Sequence, residues 1–399
     1  MKTVNAFKLS LLALSIAGVS QAHAGDSGTI ASAVKDSKVN ASFRYRVESV
    51  DQDGISEKAL ASTLKSRVSV TTGSVSNLSA KVEIDNVSNI GSDKFNSTVN
   101  GNGMYPVVAD PKGTELNQAY VQYKNGGTSA IIGRQRIVLD DQRFVGGVAW
   151  RQNEQTYDGY RLKSALSDNF TVDASYVYNV NRIFGESSAK SDLHGDIFLL
   201  NAKYALSKGH SITAYNYSLD FDNAAGASSN TIGATYNGKF DNVSVKAGYA
   251  SQSDTGDRAD FSADYMVLEA MVKLDGFKVG AGYEVLGSDD GNAMFSTPLA
   301  TLHKFQGFSD KFLNPATTPN GIEDVYVKAA TKVGKVGLSA AYHVYTSDEG
   351  SIDYGKEINV AAKYKINKNV GGLLKLANYS ADDHASDTTK IWLMLTAKY

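Results

Sequence analysis

From Lys38 to the C-terminus, apolar and polar side chains alternate with a period of two. Val39, Ala41, Phe43, Tyr45 and Val47 fall on one face of an extended chain, and Asn40, Ser42, Arg44, Arg46 and Glu48 fall on the other. The same split recurs in Leu78, Ala80, Val82 and Ile84 against Ser79, Lys81, Glu83 and Asp85, and again in Ile358, Val360, Ala362, Tyr364 and Ile366. A strand with one apolar and one polar face produces this pattern, and no stretch beyond the first two dozen residues keeps a helical period.

Applied to the whole chain, the rule predicts about eighteen strands of roughly ten residues, with sixteen as the alternative count. Their centres fall near residues 43, 67, 83, 120, 132, 160, 175, 200, 216, 234, 247, 268, 281, 327, 341, 361, 375 and 394, and those near 120, 216 and 375 alternate poorly. Strands of this length cross a bilayer when tilted by about 45°. The connections alternate in length. Every second one is a tight cluster such as Asn125-Gly126-Gly127, Ser167-Asp168-Asn169 or Asp275-Gly276, the residues that hairpin turns require. The others include long segments at residues 91–113, 137–154 and 287–321, and they hold all five prolines. Short turns on one side and long loops on the other are the rhythm of an all-β, antiparallel transmembrane β-barrel, with periplasmic turns and extracellular loops.

The first 24 residues read as a cleaved secretory signal. Lys2 and Lys8 precede an apolar run, and Ala22-His23-Ala24 forms a small-residue cleavage site. That leaves residues 25–399 as one barrel domain. Loss of the two lysines leaves 38 basic against 42 acidic residues, a formal charge of about −4. This balance argues against nucleic acid as a partner. The absence of cysteine excludes disulfides and thiolate chemistry. Tyr176, Tyr178, Tyr283, Tyr342 and Tyr364 suit the aromatic girdles of a membrane barrel.

In a barrel of this size the apolar face meets lipid and the polar face lines the lumen. The lumen wall is then expected to carry Arg44, Arg46, Lys65, Arg67, Lys81, Arg161 and Lys163, with Glu83 and Asp85 among fewer acids. Such an arginine wall would attract anions. The segment at residues 133–159 adds a dense run of charge, reading GRQR, then DDQRF, then WRQNEQTYDG. This run resembles the corresponding segment of outer-membrane porins grouped with the alginate-export family, and the architecture is similar to the eighteen-stranded OprD-type channels. The resemblance implies a loop folded into the pore and a constriction of opposed charges at Arg134, Arg136, Asp140, Asp141, Arg143 and Arg151. A ring of this kind would orient polar solutes while its width limits their size.

The expected function is therefore a water-filled porin for passive diffusion of small hydrophilic solutes, with anion or carbohydrate preference. Export of an acidic, alginate-like polysaccharide and a surface receptor built on the barrel are the alternatives. The acids Glu269, Glu284 and Asp324 dilute the arginine wall and argue against a polyuronate exporter. No catalytic residues, cofactor or metal are expected: the histidines are scattered, no Gly-x-Ser-x-Gly or His-Glu-x-x-His motif occurs, and Asp289, Asp290, Asp382 and Asp383 lack the spacing of a calcium loop. The expected partners are outer-membrane lipid and lipopolysaccharide, small solutes, and the barrel-assembly machinery. The last would read the closing row Ile391, Leu393, Leu395, Ala397 and Tyr399. Homotrimer and monomer both stay open at this stage.

Overall fold

The computed structural model describes residues 29–399, so the signal segment lies outside the described residues. A six-residue helix α1 (Ile30–Lys35), capped by Thr29, leads into the first strand. The ascending and descending strands follow in chain order as β1 (Lys38–Gln52), β2 (Ala59–Thr71), β3 (Leu78–Lys94), β4 (Gly113–Asn125), β5 (Thr128–Gln135), β6 (Thr156–Ser167), β7 (Phe170–Asn181), β8 (Asp192–Ser207), β9 (His210–Phe221), β10 (Ser229–Phe240), β11 (Val243–Ser253), β12 (Ser262–Lys273) and β13 (Phe277–Leu286). A small ribbon, β14 (Ser288–Asp289) with β15 (Ala293–Met294), decorates the long connection at residues 287–321. The barrel then resumes with β16 (Ile322–Val333), β17 (Val336–Thr346), β18 (Asp353–Lys365), β19 (Val370–Ala381) and β20 (Thr388–Lys398). All eighteen expected centres fall within these strands.

Each barrel strand pairs antiparallel with its sequence neighbours, and β1 pairs with β20 from Ser42↔Lys398 to Gln52↔Thr388. Closure removes every sheet edge, which is the condition for carrying strand backbone through hydrocarbon. Tyr399 extends the seam by exchanging two backbone hydrogen bonds with Ala41, at 2.8 and 3.0 Å. The short turns and both ends of the described chain lie at one end of the barrel. All five prolines lie in the outer connections.

Burial runs opposite to that of a soluble protein. Phe43, Val82, Leu162, Phe198, Ile232, Val327 and Leu393 are exposed on the outside, whereas Arg46 and Glu48 on the inner face have no exposure at all. The outward row is apolar because it meets lipid, and the inner row is buried because loops fill part of the lumen.

Where alternation fails, the structure supplies the cause. The inner face of β9 carries Tyr215, Tyr217 and Leu219, all buried beneath the loop that crosses the lumen, while Asn216 and Ser218 point outward and blur the periodicity. In β4 the register shifts opposite Glu83 and Ile84, which lets consecutive residues Asn117 and Gln118 both donate to Glu83, at 2.7 and 2.9 Å.

Candidate functional site

Residues 136–155, between β5 and β6, run inward across the lumen instead of capping the barrel. Their apolar side chains explain why. Ile137, Leu139 and Val145 are buried against a patch of the inner wall that includes Val177, Ile197, Leu199, Tyr215, Tyr217 and Tyr265. Phe144 packs its ring on Tyr215 at 4.9 Å and Tyr265 at 5.3 Å. Burial of these side chains, worth about 1.5–3 kcal/mol each, supplies the driving force for the inward course. The long outer connection at residues 287–321 descends to meet this loop: the Gly146 amide donates to Leu299 O at 2.9 Å and the Thr301 amide to Gln142 O at 3.1 Å.

The far end of the loop is clamped to β1 and β2. Arg44 donates to Gln152 Oε1 at 2.9 Å, to Ala149 O at 2.8 Å and to Arg151 O. The Gln152 amide group donates to Thr63 Oγ1 at 2.8 Å. Trp150 is the centre of a knot of rings and cations. His303 stacks on it at 4.4 Å, Trp392 meets it edge-on at 5.7 Å, and Arg46 and Lys375 lie 4.5 and 4.0 Å from its ring. Lys375 Nζ is 2.7 Å from His303 Nε2, and His303 Nδ1 is 2.7 Å from Asp310. This fixes a neutral imidazole that accepts from the lysine and donates to the carboxylate. Burial, against the pull of Asp310, lowers the His303 ring to about 3. Burial alone would raise the carboxyl of Asp310, but His303, Lys390 and Arg151 hold it well below the usual range.

The six residues expected at the constriction do not form one ring. Arg136 joins Glu83 at 2.9 Å and also pairs with Glu154, and Arg67 reaches Glu154 at 2.9 Å while gripping Asp85 with two donors at 2.6 and 2.5 Å. Burial opposes charge on Glu154, but Lys65, Arg67 and Arg136 together pull its carboxyl far down. Lys81 adds a pair to Glu83 at 3.3 Å. Arg134 turns toward Asp158, with contacts at 2.8 and 2.9 Å, beside an outer crevice of about 140 Å³ that Glu154 also lines. Asp140 accepts from Asn201 at 2.7 Å and pins the loop to β8, whereas Asp141 meets Lys246 at 2.6 Å. Arg143 is buried against Glu284 at 2.9 Å and lies over the Tyr265 and Phe305 rings. Arg151 bridges Glu48 and Asp310, both at 3.1 Å. On the lumen wall, Arg46 pairs with Asp110 at 3.0 Å and Arg161 with Asp173 at 2.6 Å.

Among the described residues, then, every one of these arginines except Arg44 has a carboxylate partner, and Arg44 spends its donors on the loop backbone and Gln152. Sequence reasoning placed Arg44, Arg46, Arg67, Lys81 and Arg161 on the inner face. It did not pair them: Arg46 and Arg67 are met by Asp110 and Glu154, which come from loops far away in the chain, whereas Lys81 and Arg161 pair with Glu83 and Asp173 on the wall itself. It also passed over Lys246, Lys304 and Lys328. These line a cavity of about 700 Å³ on the turn side of the loop, together with Asp141, Glu269 and Tyr326. Inward parity on β11 and β16 would have exposed Lys246 and Lys328.

Comparison with known proteins gives a consistent picture. The profile of the family described as Gram-negative porin matches residues 9–384. No curated protein matches the chain. Among solved structures, OccAB2 of Acinetobacter baumannii is similar at TM-score 0.71 and 17% identity, covering 92% of this chain and 99% of that one. OccK9 (OpdG) of Pseudomonas aeruginosa gives 0.70 and 16%, covering 91% and 98%. OpdO of the same species gives 0.70 and 14%, covering 92% and 97%. At these identities the likeness is one of fold.

Proposed function

The chain belongs to the Gram-negative porin family, and from that premise we propose a diffusion channel for small hydrophilic solutes that sorts them by size and dipole more than by net charge. The observation that carries this is the pairwise compensation at the clamped loop. Arg67, Arg136, Lys65 and Lys81 face Glu83, Asp85 and Glu154 within one patch, so the wall offers alternating donors and acceptors, with four cations against three carboxylates. Opposed charges held this close set a local field that orders water and aligns polar solutes without demanding a sign of charge.

Neutral sugars suit such a lining. An acidic polysaccharide would need cations free to meet it all along its path, and at the clamped loop the arginines are already engaged. Lipid and lipopolysaccharide contact falls to the outward apolar rows, and Tyr399 at the end of β20 is the residue the assembly machinery would read.

The test is liposome swelling with a neutral hexose and its uronic acid at equal osmolarity. Similar rates support the proposal. Entry of the uronic acid more than about fivefold faster, a transition-state difference near 1 kcal/mol, would overturn it in favour of an anion-selective eyelet.

A further inference from the structure

Although the eyelet is compensated, the two mouths of the barrel carry opposite charge. On six strands spaced two apart around the wall, a lysine sits near the turn end with its side chain on the inner face: Lys163 of β6, Lys203 of β8, Lys239 of β10, Lys273 of β12, Lys332 of β16 and Lys363 of β18. Each shares its face with buried or paired lumen residues, as Lys203 does with Asn201 and Lys363 with Asn359. All six are exposed, and among the described residues none has a carboxylate within ion-pair distance. The turns beneath them add three aspartates and three lysines and leave the excess uncancelled.

Lys273 also stands directly opposite Lys278 across the β12–β13 pair. Like charges in that position are destabilising, so the collar is kept at a cost in stability.

The outer end is the reverse. Apart from the loop that crosses the lumen, and leaving out Asp110 and Asp310, which are buried in ion pairs at the clamp, the outer connections hold fourteen carboxylates against seven basic side chains, with Asp53, Asp222, Asp257, Asp290 and Asp383 exposed.

We infer that this separation makes the pore an ionic rectifier, conducting more readily when anions are drawn in through the periplasmic collar and cations through the acidic outer mouth. The sign follows from elementary electrostatics. Anions are enriched at the lysine mouth and cations at the acidic mouth. A voltage positive on the outer side drives both enriched species inward, so carriers accumulate at the centre and the current rises. The opposite voltage depletes the centre of both. The effect requires mouths whose fields reach across the opening, so it belongs to low salt, where the screening length is about 10 Å at 0.1 M, and fades where it is about 3 Å at 1 M. The inference rests on the channel reading above.

The experiment uses the full-length protein inserted from one side of a planar bilayer. The native chain has no cysteine, so Ser187→Cys in an outer loop, labelled with a membrane-impermeant thiol reagent, reports the orientation. In symmetric 0.1 M KCl, current at +100 mV on the outer side should exceed that at −100 mV by about 1.5-fold or more, and the ratio should fall toward 1 in 1 M KCl. The combined replacement of Lys203, Lys239, Lys273 and Lys332 by Gln, which leaves the clamped loop untouched, should bring the low-salt ratio close to 1. Conductance with a ratio of 1 at 0.1 M, or a ratio of the opposite sense, overturns the rectifier alone. A wild-type ratio in the fourfold variant overturns the lysine collar as its source. Correctly inserted protein that passes no current overturns the channel reading and the rectifier with it.

Discussion

At the scale of single residues, charge inside this barrel is first a means of holding a loop in place. Arg143 is the clearest case, since its guanidinium is sealed between Glu284, Thr297 and two aromatic rings and has 1% exposure. Truncating one member of such a pair strands the other. Arg143→Met is therefore expected to destabilise the folded barrel by about 3–5 kcal/mol, and adding Glu284→Gln should recover most of the loss. Urea titration in detergent, followed by tryptophan fluorescence, checks both variants. Recovery of less than half in the double variant would show that Arg143 acts through packing on Tyr265 and Phe305 instead. Trp150 offers the complementary test. Removing its ring uncovers Arg46, His303 and Lys375 together, and Trp150→Ala should cost about 3–5 kcal/mol and widen the lumen.

At the scale of elements, the inward loop and the long outer connection act as one unit, and Gly146 is where they touch. A Cβ there would lie 2.4 Å from Thr301 Oγ1 and 2.8 Å from Gln142 Cβ. Gly146→Val should therefore separate the two segments and raise single-channel conductance with the strands intact. Protection of the strand amides in hydrogen exchange distinguishes this outcome from unfolding.

The same unit sets the pH response. His303, held at about 3 when folded and near 6.5 when unfolded, takes up its proton only in the unfolded chain across that interval, so its contribution is complete above pH 6.5 and declines as pH falls below it. Asp310 and Glu154 are depressed, so their contribution is complete above about pH 4 and is lost as pH falls through their lowered values. Urea midpoints should thus drift down gently between pH 6.5 and 4 and steeply below. His303→Gln should flatten the interval between pH 6.5 and 4 and leave the carboxylate-driven fall below it in place.

The elements themselves were largely legible, because lipid on one side and water on the other impose a period of two that needs no tertiary knowledge. Two of the three exceptions, β4 and β9, are strands whose inner face answers to something other than water. The bulge opposite Glu83 and the tyrosines under Phe144 belong to contacts with partners that lie at a distance in sequence.

For the whole molecule, the barrel and what fills it are separable. Closure is complete in the backbone, from β1 paired with β20 to the Tyr399 exchange with Ala41, and it makes no use of residues 136–155. The charged segment between β5 and β6 stood out in the sequence by its density of arginine and acid. Its partners did not, since Asp110, Glu284 and Asp310 reach it only after eighteen strands have set the curvature of the wall. The physical consequence is that the loop can be removed without removing the fold. A variant in which residues 139–150 are replaced by a short Gly-Ser linker should still assemble as a heat-resistant barrel, and the vacated lumen should conduct several times more current in 1 M KCl, where the charged mouths are screened. It should also admit solutes that the native channel excludes in liposome swelling. If the shortened protein folds and its conductance stays at the native value, the eyelet lies elsewhere in the lumen, and the paired charges around Glu83 and Glu154 serve only to hold the wall together.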